Sequence, residues 1–115
     1  MKHVQIQSER QGAIEIVNVD GFMDMREVPK FEQALDQLIK AGRCRIVLDL
    51  SKLEYISSAG LGTIIGSIRE VRRQGGDIKV GGYSAPVYDI LKTFGFTEVF
   101  ETYATRKEAL QKFGA

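Results

Sequence analysis

Apolar residues alternate with polar ones at the start of the chain, then change to a spacing of three and four. Val4 and Ile6 stand between polar neighbours, the period of a half-buried strand. Gln11-Gly12 reads as a turn, and Ala13 to Val19 as a second strand with Ile14, Ile16 and Asn18 on one face. The pair predicts a hairpin, which Asp20-Gly21 ends. Val28, Phe31, Leu35, Leu38 and Ile39 recur at helical spacing, with Pro29 in the first turn and Gly42 as the stop. Ile46 to Leu50 is almost wholly apolar, as in a strand buried on both faces.

A second helix is predicted from near Ala59, with Leu61, Ile64, Ile65, Ile68 and Val71 as its buried stripe. Arg69, Glu70, Arg72 and Arg73 fall mostly on its wet side, and Gly75-Gly76 stops it. Asp77 to Val80 reads as a short strand. Ser84 is a candidate N-cap for a third helix, with Pro86 in its first turn and Val87, Ile90, Leu91 and Phe94 on its apolar face. A last strand is predicted within Phe96 to Phe100. Thr105 then caps a final helix carrying Ala109, Leu110 and Phe113. The order β-β-α-β-α-β-α-β-α specifies an α/β fold with a mixed sheet and about four helices. Parallel strands laid down in one direction put their crossover helices on one face.

Composition narrows the function classes. The 115 residues fit one domain, 1–115, with 43% hydrophobic and 27% charged residues, the balance of an ordinary folded protein. A net charge of +1 gives no reason to propose nucleic acid or an anionic membrane as partner. The N-terminal residues lack a signal-peptide apolar region, and no apolar stretch approaches the roughly 20 residues needed for membrane insertion. A cytoplasmic location is predicted. Cys44 is the only cysteine, which excludes an internal disulfide, and it reads as a structural thiol.

Enzyme chemistry finds little support. One histidine, His3, and one cysteine do not make a conventional zinc site, and His3 is the only imidazole available to a triad. The glycine-rich segment lacks the Gly-Lys-Ser/Thr ending of a P-loop. A dinucleotide fingerprint is broken by Ile65 at its last glycine. The chain reads as a binding module with no cofactor.

The densest signal is Tyr55-Ile56-Ser57-Ser58-Ala59-Gly60-Leu61-Gly62, between the apolar strand and the second helix. It puts a serine hydroxyl at a helix N-terminus, where unpaired N–H groups favour negative charge. On the residues alone, Ser58 or Ser57 is a helix cap. Gly60 and Gly62 either permit a tight turn or leave the helix start flat for a partner, and Gly66 continues that small face. Each interior glycine costs about 1 kcal/mol against alanine, which suggests a steric need. Asp24 reads as a cap or turn residue.

The order of elements, with Val19-Asp20-Gly21, Asp24, Ser57 to Gly62, Gly75-Gly76 and Ser84-Ala85-Pro86-Val87, resembles the STAS domain of bacterial anti-sigma factor antagonists. The resemblance covers nearly the whole chain. It implies a protein that binds an anti-sigma factor with serine kinase activity and so frees a sigma factor. Phosphorylation by that kinase releases it, and a PP2C-type phosphatase resets the cycle. The family's phosphoacceptor lies two residues before the first glycine of its Gly-Leu-Gly motif, which is Ser58 here. The family pattern has Asp just before the acceptor, and this chain has Ser57. The implied partner surface is Asp24, Ser57, Ser58, Ala59, Gly60, Gly62 and Thr63. Two rival readings are a STAS accessory subunit of a membrane transporter and a nucleotide-binding regulatory domain.

Overall fold

The computed structural model describes residues 3–114. Strands β1 (Val4–Gln11) and β2 (Ile14–Met23) form the predicted antiparallel hairpin, with Gln11 opposite Ile14 and Val4 opposite Gly21. Helix α1 (Val28–Lys40) follows a 3₁₀ turn at Met25–Glu27. Then come β3 (Arg45–Leu50), β4 (Leu53–Ile56), α2 (Ser58–Arg73), β5 (Asp77–Tyr83) and α3 (Ala85–Thr93). A 3₁₀ turn at Phe96–Glu98, β6 (Thr102–Tyr103) and α4 (Arg106–Lys112) complete the described chain. The sheet runs β1-β2-β3-β5-β6, and every pairing after the hairpin is parallel.

Alternation along β2 divides its side chains between two cores. Val17, Val19 and Met23 join Ile46 and Leu48 of β3 beneath α1, α2 and α3. Phe31 and Leu35 of α1, Leu61 and Ile64 of α2, and Val87 and Leu91 of α3 fill this core. Ile14, Ile16 and Val47 face the other way and pack against Ala109 and Leu110 of α4. The crossover helices therefore share one face, as right-handed connections require. No parallel strand follows α4 among the described residues, so that rule does not act on it, and it covers the opposite face.

Arg106 fixes α4 there. Its guanidinium donates to Asp49 Oδ2 at 3.0 Å, to Glu9 Oε1 at 2.6 Å and to Asn18 Oδ1. These contacts tie the helix to β1, β2 and β3. Asn18 shares the face of Ile14 and Ile16, as the alternation predicts.

Four predictions need correction. Gly21 does not end the second strand. It forms an irregularity at φ +104°, after which β2 runs on to Met23 and pairs with β4. A Cβ at Gly21 would stand 2.0 Å from the His3 carbonyl oxygen, so the glycine serves close strand approach. Second, β4 is a strand where the sequence suggested only a connection. Its four residues are buried at both ends and exposed between, too short for a periodic signal. Third, Phe96 to Phe100 contains no strand. The Phe100 N–H donates to the Phe96 carbonyl at 3.3 Å, so the two rings follow helical spacing, and the strand lies later at β6. Fourth, Phe94 is exposed, because α3 ends at Thr93 and Gly95 at φ +76° redirects the chain.

Asp49 gives the α4 clamp a pH signature. Burial pushes its carboxyl up, but hydrogen bonds from the Ser51 hydroxyl and N–H and from Arg106 outweigh this and hold it below its ordinary 3.8. A carboxyl depressed in the folded state stabilises the fold above its unfolded pKa and stops doing so as pH falls through the folded value. Urea unfolding at about pH 6 and about pH 3 should show a smaller acid loss in Asp49→Asn than in the parent. Equal losses would remove Asp49 from the account.

Candidate functional site at the start of the second helix

Two backbone events bring the site together. β2 and β4 run side by side, with Met23 opposite Ile56, so the segments leaving them emerge at the same end of the sheet. Ser57 is the next residue after β4, and its N–H donates to the Met23 carbonyl at 2.9 Å. Asp24 follows Met23 directly and caps the 3₁₀ turn, accepting from the Arg26 N–H at 3.0 Å. The Arg26 guanidinium also holds its carboxylate at 2.8 Å, and this hydrogen bond is the main reason its pKa is lowered. Asp24 is thus both a cap and a neighbour of the α2 start.

The two serines divide the work. Ser57 is the N-cap of α2: its Oγ accepts from the Gly60 N–H at 3.2 Å, and it is only 7% exposed. Its carbonyl accepts from Leu61 N–H at 3.0 Å, the first turn of the helix. Ser58 is the first helical residue and is exposed, and its hydroxyl has no hydrogen-bond partner among the described residues. The Ser58 and Ala59 N–H groups have no intrahelical acceptor by position. They point the positive end of the helix dipole at the place where a group on Ser58 would sit.

The glycines divide as well. A Cβ at Gly60 would come within 2.8 Å of both Ile56 Cγ1 and Met23 Sδ, so Gly60 is buried packing at the junction. At Gly62 and Gly66 a Cβ would meet nothing within 4 Å. Packing inside the chain does not require those two. They leave the outer face of α2 flat. Ala59 and Gly62 are exposed, and Thr63 is half-buried with its hydroxyl donating to the Ala59 carbonyl at 3.2 Å.

Of the seven residues proposed from sequence, Asp24, Ser58, Ala59, Gly62 and Thr63 present surface. Ser57 and Gly60 face inward, one engaged in the cap and the other in contact with Met23 and Ile56. Sequence reasoning missed two apolar neighbours. Met25 is 72% exposed on the turn after Asp24, and Tyr55 is 37% exposed on β4, stacked on Phe22 with centroids 4.7 Å apart. The missed strand hid Tyr55. Its β2 pairing partner, Phe22, was the available clue.

Cys44 lies away from this region. Its thiol donates to Gln74 Oε1 at 3.3 Å, and burial, with Glu70 nearby, pushes its pKa up, which fits a structural role. No helix among the described residues is long and apolar enough to cross a membrane.

The STAS domain family matches residues 5–109. The chain is 28% identical over 109 residues to an anti-sigma F factor antagonist of Paenibacillus polymyxa, covering 94% of this chain and 93% of the relative. A solved anti-sigma factor antagonist from Mycobacterium paratuberculosis superposes with a TM-score of 0.87 at 24% identity, covering 95% of this chain and 92% of that one. The Bacillus cell fate determinant SpoIIAA in its phosphorylated form superposes with a TM-score of 0.72 at 20% identity, covering 95% and 99%. These structural likenesses are likenesses of fold.

The division of labour at the junction has measurable consequences. Ser57→Ala should cost about 1 kcal/mol through loss of the cap, whereas Ser58→Ala should stay within about 0.5 kcal/mol of the parent. Urea unfolding of both variants checks this. The glycines should separate in the same assay. Gly60→Ala should destabilise through its clash, while Gly62→Ala and Gly66→Ala should stabilise by about 0.5–1 kcal/mol.

Proposed function

The chain belongs to the STAS domain family, and on that premise we propose that it is an anti-sigma factor antagonist switched by phosphorylation at Ser58. In its unphosphorylated form it binds an anti-sigma factor with serine kinase activity, in the cytoplasm, and relieves inhibition of a sigma factor. The kinase phosphorylates Ser58 and is released, and a PP2C-type phosphatase restores the binding form. The names of the sequence relatives support the first part of this reading. The phosphorylated structural relative supports asking the second of this chain.

The observation that carries the proposal is the exposed, unengaged hydroxyl of Ser58 beside a neighbour that already caps the helix. A kinase can take Ser58 without removing any bond that holds the junction. The phosphate would bring a charge of about −1.5 to −2 and three acceptor oxygens. The free N–H groups of the first turn would donate to its oxygens, so the fold would survive. A partner pressed against Asp24, Ala59, Gly62 and Thr63 would meet new bulk and charge at the centre of its contact. The switch therefore acts at the interface. Ser57 in place of the family's Asp keeps the local geometry, because Ser and Asp are both favoured N-caps.

The test uses Ser58→Ala and Ser58→Asp baits in host lysate, followed by affinity measurement with the purified partner. Ser58→Ala should retain an anti-sigma factor of the kinase type and resist phosphorylation by it. Ser58→Asp should bind at least about tenfold more weakly, about 1.4 kcal/mol. Equal binding by both variants would sink the phosphoswitch.

A further inference from the structure

The groove between α1 and α2 and the outer stripe of α2 beside it carry four features, of which only Gly62 is shared with the junction surface. Glu32 and Asp36 stand one turn apart on α1, both exposed, and neither has an ion-pair partner among the described residues. Like charges at this spacing oppose helix formation. Opposite them, Gly62 and Gly66 have open space where a side chain would be. Ser67 lines both adjoining hollows of the groove, about 400 and 430 Å³ in volume. It is only 8% exposed, yet its hydroxyl has no hydrogen-bond partner among the described residues. No fully buried side-chain oxygen there lacks a partner, so the Ser67 hydroxyl keeps an opening to the groove. The fourth feature, Arg69, lies outside both hollows on the outer stripe of α2, exposed and without an ion-pair partner among the described residues.

Gly62, Gly66 and Arg69 are at i, i+4 and i+7, so they share one stripe of α2. The stripe is flat at one end and cationic at the other, and its flat end adjoins the unpaired acids of α1. That arrangement is complementary to itself under two-fold rotation. We propose that α2 packs antiparallel on α2 of a second copy, forming a symmetric dimer through the Gly62–Gly66 stripe. With Gly66 facing Gly66, Arg69 of each copy falls opposite Thr63 of the other, at the hollow lined by Glu32, Asp36 and Ser67. Its guanidinium then supplies the missing cation for the two carboxylates and a donor for the Ser67 hydroxyl. Arg73 is already engaged by Glu70 at 2.6 Å, which leaves Arg69 as the ion that decides. A single helix pair covers less than the about 800 Å² per partner of a standard interface, so the dimer is weak and depends on concentration. It covers Ala59, Gly62 and Thr63, and so competes with binding at the α2 start.

Sedimentation equilibrium of the full chain over a concentration series tests this, with two charge-reversed variants. The parent should approach twice the monomer mass as concentration rises. Glu32→Lys/Asp36→Lys alone, and Arg69→Glu alone, should remain monomeric. An equimolar mixture of the two should dimerise again, because each end of the mixed pair then joins opposite charges. Circular dichroism of each variant establishes that it is folded, and recovery in the mixture cannot arise from a folding defect. A parent that stays monomeric throughout, or a mixture no more associated than its components, overturns the dimer. Neither measurement involves an anti-sigma factor, so failure here leaves the phosphoswitch standing, and the reverse also holds.

Discussion

The candidate site depends on one backbone hydrogen bond, from the Ser57 N–H to the Met23 carbonyl at 2.9 Å. It is the last rung between the chain leaving β2 and the chain leaving β4. By fixing Ser57, it sets the oxygen that caps Gly60 and thereby the direction in which α2 departs. It also brings Asp24, next after Met23, to the same edge. Gly60 is the steric condition for this arrangement, since any larger residue meets Ile56 and Met23. Without that rung, Ser58 would be an ordinary loop serine. With it, Ser58 is an exposed hydroxyl at the positive end of a sixteen-residue helix.

The same economy would let a module this small carry the proposed reversible signal. Bonds that hold the fold and groups that face outward belong to different residues, even where they are adjacent in sequence. Ser57 and Gly60 look inward, and Ser58, Ala59 and Gly62 look outward. A charge placed on the outward set changes what the surface offers while the inward set continues to anchor helix and sheet. Modification sites on caps lack this separation, because there the modified oxygen is also the structural one.

Most of the architecture was legible because long periodic segments carry it. The stripes of α1 and α2, the apolar run of β3 and the hairpin alternation each extend over enough residues for the pattern to stand out. The caps at Ser84 and Thr105 were legible for a related reason, since their oxygens accept from N–H groups three residues on, as the residue types suggest. What escaped was short or dual in meaning. β4 has four residues and no alternation. Gly21 has the look of a stop but serves as an irregularity within β2, because a close backbone and a turn both demand glycine. Phe96 and Phe100 fit a strand by composition, and only their four-residue separation hinted at a helical turn. At the site, a family resemblance pointed to the segment around Ser58. It did not separate Ser57 from Ser58 or Gly60 from Gly62, because those distinctions rest on burial and on side-chain contacts across the β2–β4 pairing.

On the proposed switch, phosphate on Ser58 changes the surface and leaves the fold in place. The most direct test is a comparison of backbone amide NMR spectra of the protein with and without phosphate on Ser58. A switch acting at the interface predicts shifts confined to the first turn of α2 and the adjoining Asp24 turn, with the amides of β2, β3 and β5 unmoved. Shifts that spread through the sheet would show that the switch works by rearranging the core, and would contradict it.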